Sequence, residues 1–110
     1  MANVLNNKTT NDLVEAVLAL KDAAEAKAFL RDLLTESELV EFGNRWKAAQ
    51  MLSDKALYTD IVKKTGLSST TVARISKWLQ NGKGGYRMMI ERLHHHHNHT
   101  NPSSGRALVA

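Results

Sequence analysis

A chain of 110 residues with no cysteine and a net charge of +4 has room for one domain with a single modest core. The missing thiols exclude a disulfide framework, thiolate metal sites and a cysteine nucleophile, and they fit a reducing cytoplasm. No apolar run approaches the roughly 18 to 20 residues that cross a bilayer, and the polar N-terminus lacks the apolar segment of a signal peptide, so no membrane partner is expected.

Residues 1–8 carry Asn3, Asn6, Asn7 and Lys8, offer little to bury, and are expected to fray. Leu13, Val14, Val17, Leu18 and Leu20 predict a first helix that starts after Thr10 or Asn11. Its apolar surface is wide for so short an element and needs cover on more than one side, which a second subunit would supply. Asp22 and Glu25 have the spacing of a capping box. A turn near Lys21 should therefore open a second helix, about Ala23 to Leu34, that buries Ala26, Phe29, Leu30, Leu33 and Leu34.

Thr35-Glu36-Ser37-Glu38 is a cleaner start signal. Thr35 can cap the amide three residues on, Glu38 can reach back, and the acids suit the positive end of the helix dipole. The helix that follows, to about Leu52 or Ser53, carries Leu39, Phe42, Trp46, Ala49 and Leu52 on one face, with Glu41, Arg45 and Lys47 opposite. Gly43 inside it costs up to ~1 kcal/mol relative to alanine. Close approach of another helix and simple tolerance both account for it.

Tyr58 to Lys77 reads as a helix, a tight turn at Gly66 and a second helix. Ile61 and Val62, Leu67 at the turn, and Val72 and Ile75 stand where two steeply crossing helices must touch. Ser68 or Ser69 caps the second helix. It runs on through Trp78 and Leu79 to Gln80, and Asn81-Gly82-Lys83-Gly84-Gly85 breaks it. A last short helix, about Tyr86 to Leu93, offers Tyr86, Met89, Ile90 and Leu93 to the core. The expected fold is all-α with six helices. Trp46, Ile61, Val62, Val72, Ile75, Trp78 and Leu79 are its expected core residues in and around the motif.

From His94 the composition changes, and residues 94–110 read as a His-rich disordered tail. Residues 94–110 place no carboxylate beside the five histidines, so no metal site and no cofactor is expected. No catalytic motif is present either: there is no nucleophile elbow, no P-loop and no dinucleotide fingerprint.

The charge distribution is uneven. Residues 1–54 carry six Lys/Arg against nine Asp/Glu, a balance of −3, whereas residues 55–92 carry eight against two, a balance of +6. The basic half contains the two-helix motif, and a cationic face attracts a polyanion through counterion release. Double-stranded DNA is the expected partner. Ser69, Thr70 and Thr71 are candidate base-edge readers, with Arg74 and Lys77 one and two turns on. A capping role for Ser69 is the plain alternative. Thr59, Lys63 and Lys64 suit phosphates, which position without specifying sequence, and Lys83 and Arg87 are further phosphate candidates.

The order of segments carries a resemblance. Leu33 to Glu38 opens a helix, Gly43-Asn44-Arg45-Trp46 follows, and then comes the helix-turn-helix with Ser68-Ser69-Thr70-Thr71-Val72-Ala73-Arg74-Ile75. This order resembles the tryptophan-repressor-like family, and within it the YerC/YecD branch, over about Leu13 to Leu93. The resemblance implies an intertwined homodimer of six-helix subunits, residues 9–93 forming one dimerisation and DNA-binding domain. It also implies a transcriptional repressor and a palindromic operator.

In the tryptophan-binding member of that family, Thr35, Arg45 and Arg74 match the pocket residue types. Ile75 stands where that pocket has a glycine that makes room for the indole, and Trp78 where it has a small serine. The five residues read as a vestigial ligand pocket, and L-tryptophan is not expected as an effector. Two rival readings come from other classes: a non-regulatory DNA-binding protein of replication or chromosome organisation, and a protein–protein adaptor with the motif as scaffold.

Overall fold

The computed structural model describes residues 3–100, with side chains described as far as His94. It holds six α-helices: α1 (Lys8–Ala19), α2 (Ala23–Leu33), α3 (Glu36–Ser53), α4 (Tyr58–Thr65), α5 (Ser69–Asn81) and α6 (Gly85–Thr100). The chain divides into two compact units, with the boundary between Leu39 and Val40 inside α3.

In the first unit the helix starts follow local hydrogen bonding. Asn7 caps α1, its side-chain oxygen taking the Thr10 N–H at 2.8 Å, so the helix begins before the expected Thr10 or Asn11. Asparagine is as good a cap as serine, and it was the stronger signal. Within the segment expected to fray, Asn3 to Asn6 form an exposed turn in which the Asn6 N–H donates to the Asn3 carbonyl at 3.1 Å. Asp22 caps α2 through the Glu25 N–H at 2.9 Å, while Glu25 reaches back to the Lys21 N–H at 2.9 Å. Thr35 and Glu38 form the full reciprocal box at the start of α3, at 3.1 and 2.9 Å.

No residue of α1 or α2 is fully buried. Leu13, Val14, Val17 and Leu18 are 40 to 79% exposed along α1, and Leu33 on α2 is exposed rather than core. Ala26, Phe29, Leu30 and Leu34 are half-buried.

The second unit has a closed core. Ala48, Ala49, Ile61, Val72 and Ile75 are fully buried, with Trp46, Met51, Leu52, Ala56, Val62, Leu67, Tyr86 and Ile90 packed around them. Two adjacent alanines on α3 leave room for Ile61 and the two branched side chains of α5, and each large side chain so buried contributes about 1.5–3 kcal/mol. Three expected core residues lie outside it: Phe42 (45% exposed), Trp78 (43%) and Leu93 (45%). Trp78 sits at the edge of the buried arc of α5, whereas Phe42 and Leu93 stand in line with Ala49 and with Tyr86 and Ile90 on their helices, so spacing alone does not separate core from rim. A Cβ at Gly43 would find nothing within 4 Å inside the chain.

α6 continues past Leu93 to Thr100, through the start of the expected tail. Once a helix is nucleated, each added residue needs only its own bond, and no breaker comes before Pro102. Residues 101–110, the rest of that tail, lie outside the described residues. No helix among the described residues is long and apolar enough to cross a membrane.

Candidate nucleic-acid interface

The turn of the motif is fixed by three side-chain-scale devices. Gly66 closes α4 in the left-handed region (φ 76°), a conformation glycine adopts without a steric penalty, and its N–H reaches the Val62 carbonyl at 2.8 Å. Thr65, buried at 7% exposure, donates its hydroxyl to the Ile61 carbonyl at 2.7 Å and accepts the Leu67 N–H at 3.2 Å. Ser68 then caps α5, accepting the Thr71 N–H at 3.1 Å. The cap is therefore Ser68, and Ser69 is free of that duty.

α5 has two faces. Val72, Ile75 and Ser76 are buried and Leu79 half-buried, whereas Thr70, Arg74 and Lys77 follow one another along the opposite side. Ser69 and Ala73 run beside them, also exposed. Ala73 is the position that residue chemistry alone passed over, because a methyl carries no polar signal. Thr71 departs from expectation: it is half-buried and its hydroxyl accepts from Ser68 at 3.0 Å, so it belongs to the cap more than to the open row.

Thr59, Lys63 and Lys64 are exposed on α4. Neither these lysines nor Arg74 and Lys77 form an ion pair among the described residues. No described carboxylate neutralises their charge. Arg87 is different, since its guanidinium donates to the Leu79 and Gln80 carbonyls at 3.0 and 3.3 Å. It closes the C-terminal end of α5, satisfying carbonyls that the helix leaves unpaired. Lys83 is exposed in the turn between α5 and α6.

The residues of the expected vestigial pocket have other occupations. Ile75 is a fully buried core residue. Arg45 pairs with Glu41 at 2.8 Å and lies 5.6 Å from the centre of the Phe42 ring, while its Nε is buried without a partner among the described residues. Thr35, in the first unit, spends its hydroxyl on the cap of α3. Arg74 is exposed, and Trp78 is only partly covered.

Comparison with known proteins bears on the whole of this arrangement. A profile of the Trp repressor protein family matches residues 8–94. YerC of Bacillus subtilis (strain 168) is 33% identical over 89 residues, which cover 81% of this chain and 86% of YerC. The crystal structure of a TrpR-like protein from Eubacterium eligens superposes with a TM-score of 0.79 at 37% identity, covering 84% of this chain and 95% of that one. A proposed Trp repressor from Staphylococcus aureus gives a TM-score of 0.77 at 28% identity, over 83% and 91% of the two chains. With a match that runs from α1 into α6, the chain belongs to the Trp repressor protein family, a family of DNA-binding regulators rather than enzymes, and has its all-α fold.

Proposed function

We propose that the protein is a cytoplasmic transcriptional repressor that binds a palindromic operator as a homodimer and does so without L-tryptophan. The observation that carries this reading is the open row on α5: Thr70, Arg74 and Lys77, flanked by Ser69 and Ala73, on a helix whose opposite side is locked into the core.

The row has the chemistry of a major-groove edge. The Ser69 and Thr70 hydroxyls donate or accept, the Ala73 methyl suits the thymine methyl, and Arg74 and Lys77 donate to guanine or to phosphate. Thr59, Lys63 and Lys64 on α4, with Lys83 beyond α5, hold the phosphates and set the register. Repression is then steric: an occupied operator that overlaps a promoter excludes polymerase.

The homodimer is supported by the first unit. Leu13, Val14, Val17 and Leu18 form an apolar strip that is exposed among the described residues, and a second copy is the simplest cover. Two reading helices in one dimer ask for half-sites about one helical turn apart. Independence from L-tryptophan is supported by Ile75, whose side chain fills its site as core. Calorimetry should detect no binding of L-tryptophan, and a micromolar dissociation constant would overturn that part of the reading.

Selection from a pool of random duplexes, read at two salt concentrations, tests the reading as a whole. It should return a shared inverted repeat. Enrichment without any consensus, with a steep salt dependence, would favour a non-regulatory DNA-binding role.

A further inference from the structure

From Glu91 the sequence runs Glu-Arg-Leu-His-His-His-His-Asn-His, and α6 carries this whole stretch as one helix to Thr100. A flexible tract has no fixed donor geometry, whereas a helix gives its positions a register. Along α6 the positions of Glu91, His94, His95 and Asn98 stand three and four residues apart and share one stripe. The positions of His96, His97 and His99 lie off it.

The end of α3 meets the start of that stripe. Ser53, Asp54, Arg87, Ile90, Glu91 and His94 line one groove of about 380 Å³ within the second unit. Two carboxylates thus stand beside the first histidine, one on its own helix and one from just beyond α3, although residues 94–110 contain none. Asp54, Glu91 and His94 are all exposed, and neither acid forms an ion pair among the described residues. The Arg87 guanidinium, which also borders the groove, is engaged by the Leu79 and Gln80 carbonyls. Among the described side chains no three such donors already converge on one centre, so an ion has to draw the exposed groups together. Imidazole combined with carboxylate is a donor set for a divalent first-row transition ion, whereas Mg²⁺ and Ca²⁺ take oxygen ligands.

We propose that Glu91, His94 and His95, with Asp54 from the end of α3, bind a divalent transition-metal ion. Bound there, the ion ties α6 to the end of α3.

Titration calorimetry of the full-length protein with Zn²⁺ should show saturable binding that Mg²⁺ does not reproduce. Glu91→Gln and Asp54→Asn, both at exposed positions, should each weaken it by about tenfold or more, a range that even outer-shell partners of a metal reach. The triple variant His96→Asn, His97→Asn, His99→Asn keeps the stripe and should bind as the parent does. Zn²⁺ should also raise the unfolding midpoint, because an ion held between the end of α3 and α6 favours the folded state. The proposal is overturned if Zn²⁺ gives no saturable heat, if Mg²⁺ matches it, or if either carboxylate variant binds Zn²⁺ as the parent does. It is equally overturned if the triple variant loses binding, or if bound Zn²⁺ leaves the midpoint unchanged, since flexible histidines alone would then be holding the ion.

Discussion

The Thr65 hydroxyl donates to the Ile61 carbonyl at 2.7 Å, tying the end of α4 to its own preceding turn, and the same oxygen takes the Leu67 N–H at 3.2 Å. One small buried side chain thus serves both arms of the turn that sets α5 against α4. Thr65→Val keeps the shape and removes both bonds, leaving the Leu67 N–H without its partner. A loss of about 1–3 kcal/mol is expected in urea unfolding. An unchanged midpoint would show that the hydroxyl is incidental to the turn.

A second adjustment lies at the end of α3. Lys55 is the one described non-glycine residue with positive φ (66°), and the Lys55 and Ala56 N–H groups bond back to the Leu52 and Met51 carbonyls at 3.0 Å each. That is the Schellman pattern, in which glycine is the residue without a steric penalty. Lys55→Gly should stabilise the protein by about 0.5–1 kcal/mol, the released strain outweighing the more flexible unfolded chain. Thermal unfolding checks the sign.

Gly82 is needed for space, not for its dihedral. A Cβ there would lie 2.5 Å from the Trp78 carbonyl oxygen, a backbone atom that cannot swing aside. Gly82→Ala should cost about 1–3 kcal/mol and disturb the α5–α6 turn. Hydrogen exchange at the Gly82 amide, which donates to that carbonyl at 2.8 Å, is the local readout.

Phosphate and base contacts should separate in a salt titration. Lys64→Ala should weaken binding to every duplex alike and reduce the slope of log affinity against log salt by about 1. Thr70→Ala should leave that slope alone and relax the preference at one base pair.

What could be read from residue order was mostly local. Thr35 with Glu38, and Asp22 with Glu25, act over three residues of chain, and both caps stand where their spacing puts them. Ile61, Val72 and Ile75 repeat at helical intervals around one turn and are all buried. Less legible were features that depend on neighbours distant in sequence. Ala48 joins the core with Ile61 of α4 and with Val72 and Ile75 of α5, a fact its small side chain does not announce. Phe42, Leu33 and Trp78 are as apolar as true core residues, yet remain open within the chain. At the interface, the hydroxyls and cations of α5 stood out by chemistry, whereas the cap role of Thr71, the Arg87 bonds to α5 and the exposed Ala73 emerged only with the backbone in place.

The central claim is that the outward row of α5 reads DNA, and Arg74→Ala tests it most directly. Arg74 is exposed and makes no ion pair among the described residues, so the variant should keep its helicity and its unfolding midpoint. On the duplex recovered by selection, its affinity should fall by about 1–3 kcal/mol, roughly five- to 150-fold. A folded variant that binds that duplex as tightly as the parent would contradict the assignment of this face.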